Sequence, residues 1–199
     1  MELDPSKTAV VAVHMQGDIV GPEGAFAGFF HGQIVEKDIY NQVARLLDAA
    51  RASGATAAYT RVAWSPDYSD LNPNSPLLGM VAQTGCLKDG APLADIVDAV
   101  KPAAGDLIVT HKRVGGFQDS SLDAELKARG IDTLVFCGVA TNASVEGTAR
   151  AAGDLGYRTV VVTDACSAAA PEVHEASIGS LGLLAEISTV DEVVSALSA

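Results

Sequence analysis

Cysteine, positive charge and long apolar runs are all scarce in this chain. Its 199 residues include three cysteines, Cys86, Cys137 and Cys166, an odd number and widely separated. No CxxC pair occurs, which argues against a disulfide framework and against a structural zinc site. Lysine and arginine number 13 against 25 aspartates and glutamates, a net charge of −12. Nucleic acid and anionic membrane both need basic patches, so neither is expected as a partner. No apolar run approaches the ~20 residues that span a bilayer. The opening residues, MELDPSK, are acidic where a signal peptide would be basic, so a cytoplasmic location is expected. There is no internal repeat and no low-complexity tract.

What is present reads as a globular chain. Hydrophobic residues make up 48% and charged residues 19%, which argues against disorder. The length suits one domain over residues 1–199 with a substantial core.

The most informative stretch is Leu134 to Thr148, LVFCGVATNASVEGT. Leu134 to Cys137 is a short apolar run of the kind that forms a buried strand. Gly138 to Asn142 breaks it, and Ser144, Val145, Thr148, Ala149, Ala152 and Leu155 then follow a helical spacing. Strand, tight turn and helix place the turn at a strand's carboxyl end and a helix's amino end. Open α/β sheets bind ligands there, because unpaired N–H groups and the helix dipole point outward.

Strand and helix patterns alternate along the rest. Strands are expected at Thr8–Val13, Thr56–Val62, Leu107–Thr110, Leu134–Cys137, Thr159–Thr163 and Ala185–Ser188. Helices are expected at Glu36–Ser53, Leu93–Val100, Ser120–Ala128, Ser144–Leu155, Pro171–Leu184 and Val190–Leu197. Pro22–Gly32 reads as a Gly- and Phe-rich loop. Trp64–Pro92 reads as a long proline-punctuated segment of the sort that forms lids or interfaces. Such alternation implies α/β architecture, a parallel sheet of six strands with helices on both faces. Polar residues follow three of the strands directly: His14, Lys112 and Ser144. Together they outweigh any one alone.

Four segments carry a family resemblance: VVAVHMQGDIV at 10–20, VTHKRVGGF at 109–117, GVATNASVEGTARAAGDLGY at 138–157 and VVVTDACSA at 160–168. With the element order they resemble the isochorismatase-like (cysteine hydrolase) superfamily, which includes isochorismatases, nicotinamidases and N-carbamoylsarcosine amidohydrolases. The resemblance implies a three-layer α/β/α, Rossmann-like fold and homo-oligomers, dimers or tetramers. It implies a cis peptide at Val139–Ala140 that aims backbone N–H groups into the site. It also implies an aspartate, lysine and cysteine acting on a carbonyl. Lys112 matches that lysine, whereas His14 stands at the aspartate and Ser144 at the cysteine. Asp18 matches a supporting aspartate.

These substitutions change the chemistry. A thiol near a cation ionises readily, but a serine hydroxyl needs a base within hydrogen-bond reach. Neutral His14 can be that base, with Lys112 as electrostatic support and the N–H groups of Ala140 and Ser144 as the oxyanion hole. The reading is a hydrolase of a small amide, ester or enol ether. Protonation of an enol ether suits it least, since a cation at Lys112 opposes a histidinium at His14. The pocket wall is expected to include Arg61, Trp64, Tyr68, Arg113 and Phe117, the arginines suiting an anionic group. His111, next to Lys112, is expected on the opposite face of its strand, Cys137 as packing, and His174 as exposed. Nicotinamidase-type members hold a metal through histidines after the second strand. TRVAWSPDYSD has none, and Asp67 and Asp70 alone are poor transition-metal ligands, so no metal or cofactor is expected. The alternative is a catalytically reduced member that binds a small ligand or serves as an oligomeric scaffold. In that reading Ser144 is a helix cap, His14 a structural histidine and the arginines surface ion pairs.

Overall fold

The computed structural model describes residues 1–199. Six strands form one sheet: β1 (Thr8–Val13), β2 (Thr56–Val62), β3 (Leu107–His111), β4 (Thr133–Val139), β5 (Arg158–Ser167) and β6 (Glu186–Ser188). All pairings are parallel, in the order β3-β2-β1-β4-β5-β6. The helices are α1 (Gly17–Val20), α2 (Ala27–Glu36), α3 (Ile39–Ser53), α4 (Pro76–Thr84), α5 (Leu122–Ala128), α6 (Glu146–Asp154), α7 (Pro171–Leu181) and α8 (Val190–Leu197). No helix is long and apolar enough to cross a membrane.

The apolar strand runs are continuous because both sheet faces are covered. Successive residues of β1 enter different cores: Val10 and Ala12 one, Ala9, Val11 and Val13 the other. β4 divides likewise, with Val135, Cys137 and Val139 on the first face and Leu134 and Phe136 on the second. α3 presents Ile39, Val43, Leu46, Leu47 and Ala50 to the first core, the helical spacing seen in the sequence. Gly54 ends it in the left-handed conformation at φ 84°.

Strand order reverses at the centre. The chain lays β1, β2 and β3 outward in one direction, then returns to place β4 on the other side of β1. The β1 and β4 ends therefore flank a topological switch point, where connections diverge and leave a crevice.

The structure revises four boundaries. The Gly- and Phe-rich segment after Pro22 contains α2, and Asp38, in the left-handed region at φ 52°, separates it from α3. The long segment after Trp64 contains α4, capped by the Ser75 hydroxyl accepting from Leu78 N–H at 3.3 Å. Leu93–Val100 is two 3₁₀ turns, Pro92–Ala94 and Asp98–Val100. The backbone between them is drawn out by pairing with the β1 exit: Val97 N–H donates to Met15 C=O at 2.9 Å and Gly17 N–H to Asp95 C=O at 3.0 Å. Finally, β5 runs on to Ser167, past a register shift opposite Phe136 and Gly138.

Candidate active site

The β1 and β4 exits determine the site. β1 ends in His14, whose backbone turns into the left-handed region at φ 53°. That conformation is uncommon outside glycine, and such positions cluster at functional sites. The turn is held by His14 N–H donating to Thr60 C=O at 3.0 Å and Gln16 N–H to His14 C=O at 2.8 Å. On the other side, β4 passes through Gly138 and the Val139–Ala140 peptide, which is cis. A π-helical turn, Thr141–Val145, leads into α6 and carries Ser144.

Gln16 locks the two sides of this entrance. It is fully buried. Its amide donates to Val62 C=O at 2.9 Å and to Ala94 C=O at 2.6 Å, and its Oε1 accepts from Val62 N–H at 2.8 Å. Replacing it with leucine strands three buried backbone groups. Gln16→Leu is expected to cost about 3 kcal/mol, a fall in Tm of roughly 6–12 °C for a chain of this size. Thermal denaturation checks this; a fall below about 3 °C would contradict the assigned bonding.

Between these exits lies a narrow cavity of about 60 Å³, with 13 hydrophobic residues among the 16 that line it. Its polar members are His14, Arg113 and Ser144. Val139, Ala140 and Ala143 supply the β4 wall; Trp64, Phe26 and Leu78 close other sides. Low polarity here strengthens any electrostatic interaction inside the cavity.

The partner of His14 is His111. Their Nε2 atoms lie 2.9 Å apart, with the ring centroids 4.9 Å apart and the ring planes 20° from parallel. At that distance one nitrogen must donate and the other accept, so one proton is shared. Both side chains are buried. Burial, and then the proximity of His111, hold the His14 pKa well below the ordinary 6.5; burial pushes His111 down to about 4. The pair is neutral near pH 7.

Lys112 is placed otherwise than its match suggested. It is not among the cavity-lining residues. Its ammonium pairs with the Asp70 carboxylate, which it holds down to about 2. The alternation of β3 explains the exchange: Leu107, Val109 and His111 are buried, while Ile108 and Thr110 are exposed. His111 is therefore the inward residue, and Lys112 leaves on the outer side. The other expected wall residues also separate. Trp64 and Arg113 line the cavity. Arg61 pairs with Asp89 at 2.9 Å and Asp95 at 3.6 Å. The Tyr68 hydroxyl donates to Cys86 C=O at 2.5 Å and its ring lies 4.8 Å under the Lys88 ammonium. Phe117 stacks on Tyr157 at 5.9 Å, in the core of the opposite sheet face. Asp18 ties α1 to the segment after α4: its carboxylate accepts from Leu87 N–H at 2.7 Å.

Ser144 makes no capping hydrogen bond at the π-turn. Its carbonyl accepts from the Thr148 hydroxyl at 2.5 Å, and that hydroxyl accepts from Gly116 N–H at 3.0 Å, tying the segment after His111 to α6. Behind the turn sits His174, which is buried rather than exposed. Its Nδ1 lies 2.8 Å from the Thr141 hydroxyl and its Nε2 3.1 Å from that of Thr163. The three thiols are buried, Cys137 and Cys166 both raised by desolvation, Cys166 to about 12. None lines the cavity.

A doubly wound parallel sheet with an apolar cavity and a few converging polar groups at its switch point defines an α/β protein built to take a small molecule. The chain belongs to the isochorismatase family: the isochorismatase domain model matches residues 8–192. An isochorismatase family protein of Escherichia coli, YecD, is 33% identical over 201 residues, covering 99% of this chain and 100% of the relative. A ureidoacrylate amidohydrolase of Azorhizobium caulinodans, RutB, is 37% identical over 187 residues, covering 86% of this chain and 82% of the relative. The crystal structure of a cysteine hydrolase from Pseudomonas syringae is similar with a TM-score of 0.90 and 28% identity, over 100% of this chain and 95% of that one.

Proposed function

We propose that this chain is a hydrolase of a small, largely apolar substrate with an amide or ester carbonyl, and that Ser144 and His14 run the reaction. The observation that carries this is their shared cavity: a serine hydroxyl and a buried neutral imidazole both line one apolar crevice. The relative active on ureidoacrylate favours an amide-type C–N bond as the first to test.

In this reading Ser144 stands where the family's cysteine belongs, and His14 where its aspartate belongs. Ser144 Oγ attacks the carbonyl carbon while its proton passes to a ring nitrogen of His14, and the carbonyl π pair moves onto oxygen. Collapse expels the amine or alcohol, which takes the proton from His14. Water then repeats the sequence on the acyl-serine and restores both side chains. Backbone N–H groups of Ala140 and Ser144 are the proposed oxyanion donors. Arg113, whose Nε pairs with Asp119 at 2.8 Å while the residue lines the cavity, is the cation nearest to hand for a substrate carboxylate. Protonating an enol ether fits less well, because a histidine held below 6.5 is a poor reservoir of protons at neutral pH. The cytoplasmic location, the single domain and the homo-oligomer belong to the same proposal.

A second reading, a family member that binds a small ligand without turning it over, draws support from Lys112, which faces Asp70 instead of the cavity. The two part on one experiment. Small ureido acids, amides, esters and enol ethers are offered to the wild type and to Ser144→Ala. The hydrolase reading expects turnover of an amide or ester and a loss of at least about 10³-fold in Ser144→Ala. Unchanged turnover in that variant removes Ser144 as nucleophile; saturable binding with no turnover by the wild type supports the binder.

A further inference from the structure

We propose that His111 is a positioning residue that fixes the tautomer of His14, so that Ser144, His14 and His111 act as a serine–histidine–histidine relay. The inference rests on the hydrolase reading, while the histidine pair it is argued from stands without it.

The argument is an account of protons. Two neutral imidazoles joined Nε2 to Nε2 carry two ring protons between them, one of which lies in the 2.9 Å bond. The other sits on one of the two Nδ1 atoms. If it sits on His111, then His111 Nε2 is the acceptor, His14 Nε2–H is the donor, and His14 Nδ1 has a lone pair. If it sits on His14, the pair is reversed and His14 has no lone pair to receive a proton from Ser144.

The surroundings choose between these. His111 Nδ1 is buried and has no formed hydrogen bond. His14 lines the cavity, and its Nδ1 is not sealed in the same way. A base for Ser144 must present a lone pair there, and only the first arrangement leaves one on His14. In the relay the second proton is therefore on His111 Nδ1 and His14 Nδ1 is bare. The ring planes are 20° from parallel, which suits a bond lying in both of them.

His111 then does for His14 what an orienting acceptor does for any catalytic histidine. It fixes the ring, selects the basic nitrogen, and receives a strengthened hydrogen bond when His14 becomes charged. Being neutral, it gives that support without an ion in the core.

The test has two arms on the full chain. The first is ¹⁵N NMR of the histidine rings at pH 8, with His14 signals assigned by their loss in His14→Asn. The expected result is a proton on His14 Nε2 and none on Nδ1 in the wild type, and a mixture of tautomers in His111→Leu. The second is kinetics on whichever substrate the panel yields. His111→Leu is expected to lower kcat about 10²-fold or more with KM within about threefold, and His111→Gln, whose amide oxygen can accept from His14 Nε2–H, to recover at least about tenfold of that loss. A wild-type proton on His14 Nδ1 overturns the proposal even if Ser144 proves to be the nucleophile. So does a His111→Leu variant that folds and keeps kcat within about threefold. A proton on Nε2 in a protein that turns over nothing defeats the hydrolase reading and leaves the tautomer assignment standing.

Discussion

Gly138→Ala is expected to leave little or no folded protein. Gly138 is the point where β4 passes the end of β1, and its backbone sits at φ 110°, outside the regions open to residues with a Cβ. A Cβ built there would lie 2.2 Å from the Val13 carbonyl oxygen and 2.8 Å from the Val13 nitrogen. Neither atom can give way. Val13 is in the central strand, paired with Gly138 on one side and Thr60 on the other. The penalty adds a forbidden dihedral to a backbone collision, and relief would require β1 and β4 to part at the switch point. A cost above about 4 kcal/mol is expected, a large share of the stability of an ordinary domain. Circular dichroism and thermal unfolding check this. A soluble Gly138→Ala protein melting within about 3 °C of the wild type would show that the β1–β4 approach is looser than described.

The collision also explains why this part of the molecule was legible from the sequence. An apolar strand, a glycine and a helical run are local signals, and each reports the conformation of its own residues. Ser144 and His14 could be singled out because each follows such a signal directly. The wall residues could not, because they depend on where long side chains go after leaving the backbone. Arg61 finds Asp89 and Asp95, and Tyr68 finds Lys88 and Cys86, partners from distant parts of the chain. Phe117 crosses to the opposite core.

The choice of Lys112 over His111 has a more specific cause. β3 is the outer strand beyond β2, with one strand neighbour and one buried face. A strand of that kind normally alternates apolar and polar residues, and the alternation tells which face is inward. Leu107, Ile108 and Val109 are all apolar, so the pattern is erased where it was needed, and Ile108 is 48% exposed. The family match places the lysine by its neighbourhood, and one residue in a strand is the difference between the buried contact with His14 and the outer ion pair with Asp70. His174 was misplaced for a related reason. Its burial comes from Thr141 and Thr163, which the fold brings to it and the helix pattern does not foretell.

Acid is expected to destabilise this protein above the pH at which carboxylates protonate. His14, His111 and His174 are all held below their ordinary pKa of 6.5 by burial, the last two to about 4. In the unfolded chain they take up protons near pH 6.5; in the folded chain they do not until far lower. Between these values the unfolded state binds more protons, so stability falls as pH falls. Above about 6.5 their contribution is complete and level. At pH 5 the His111 shift corresponds to about 2 kcal/mol, with His14 and His174 adding in the same direction. The loss in Tm between pH 7.5 and 5 is then at least about 4–8 °C. Asp70, held down to about 2 beside Lys112, adds its own loss only below about pH 4, so the two effects separate on the pH axis. Thermal unfolding at pH 7.5, 6 and 5 measures the slope, and His174→Asn and His111→Gln should each flatten it. A Tm level from pH 7.5 to 5 would mean that the histidines charge freely in the folded state. A charged His14 could accept no proton from Ser144, so the same curve that reads stability also bears on whether the site holds the neutral base its chemistry requires.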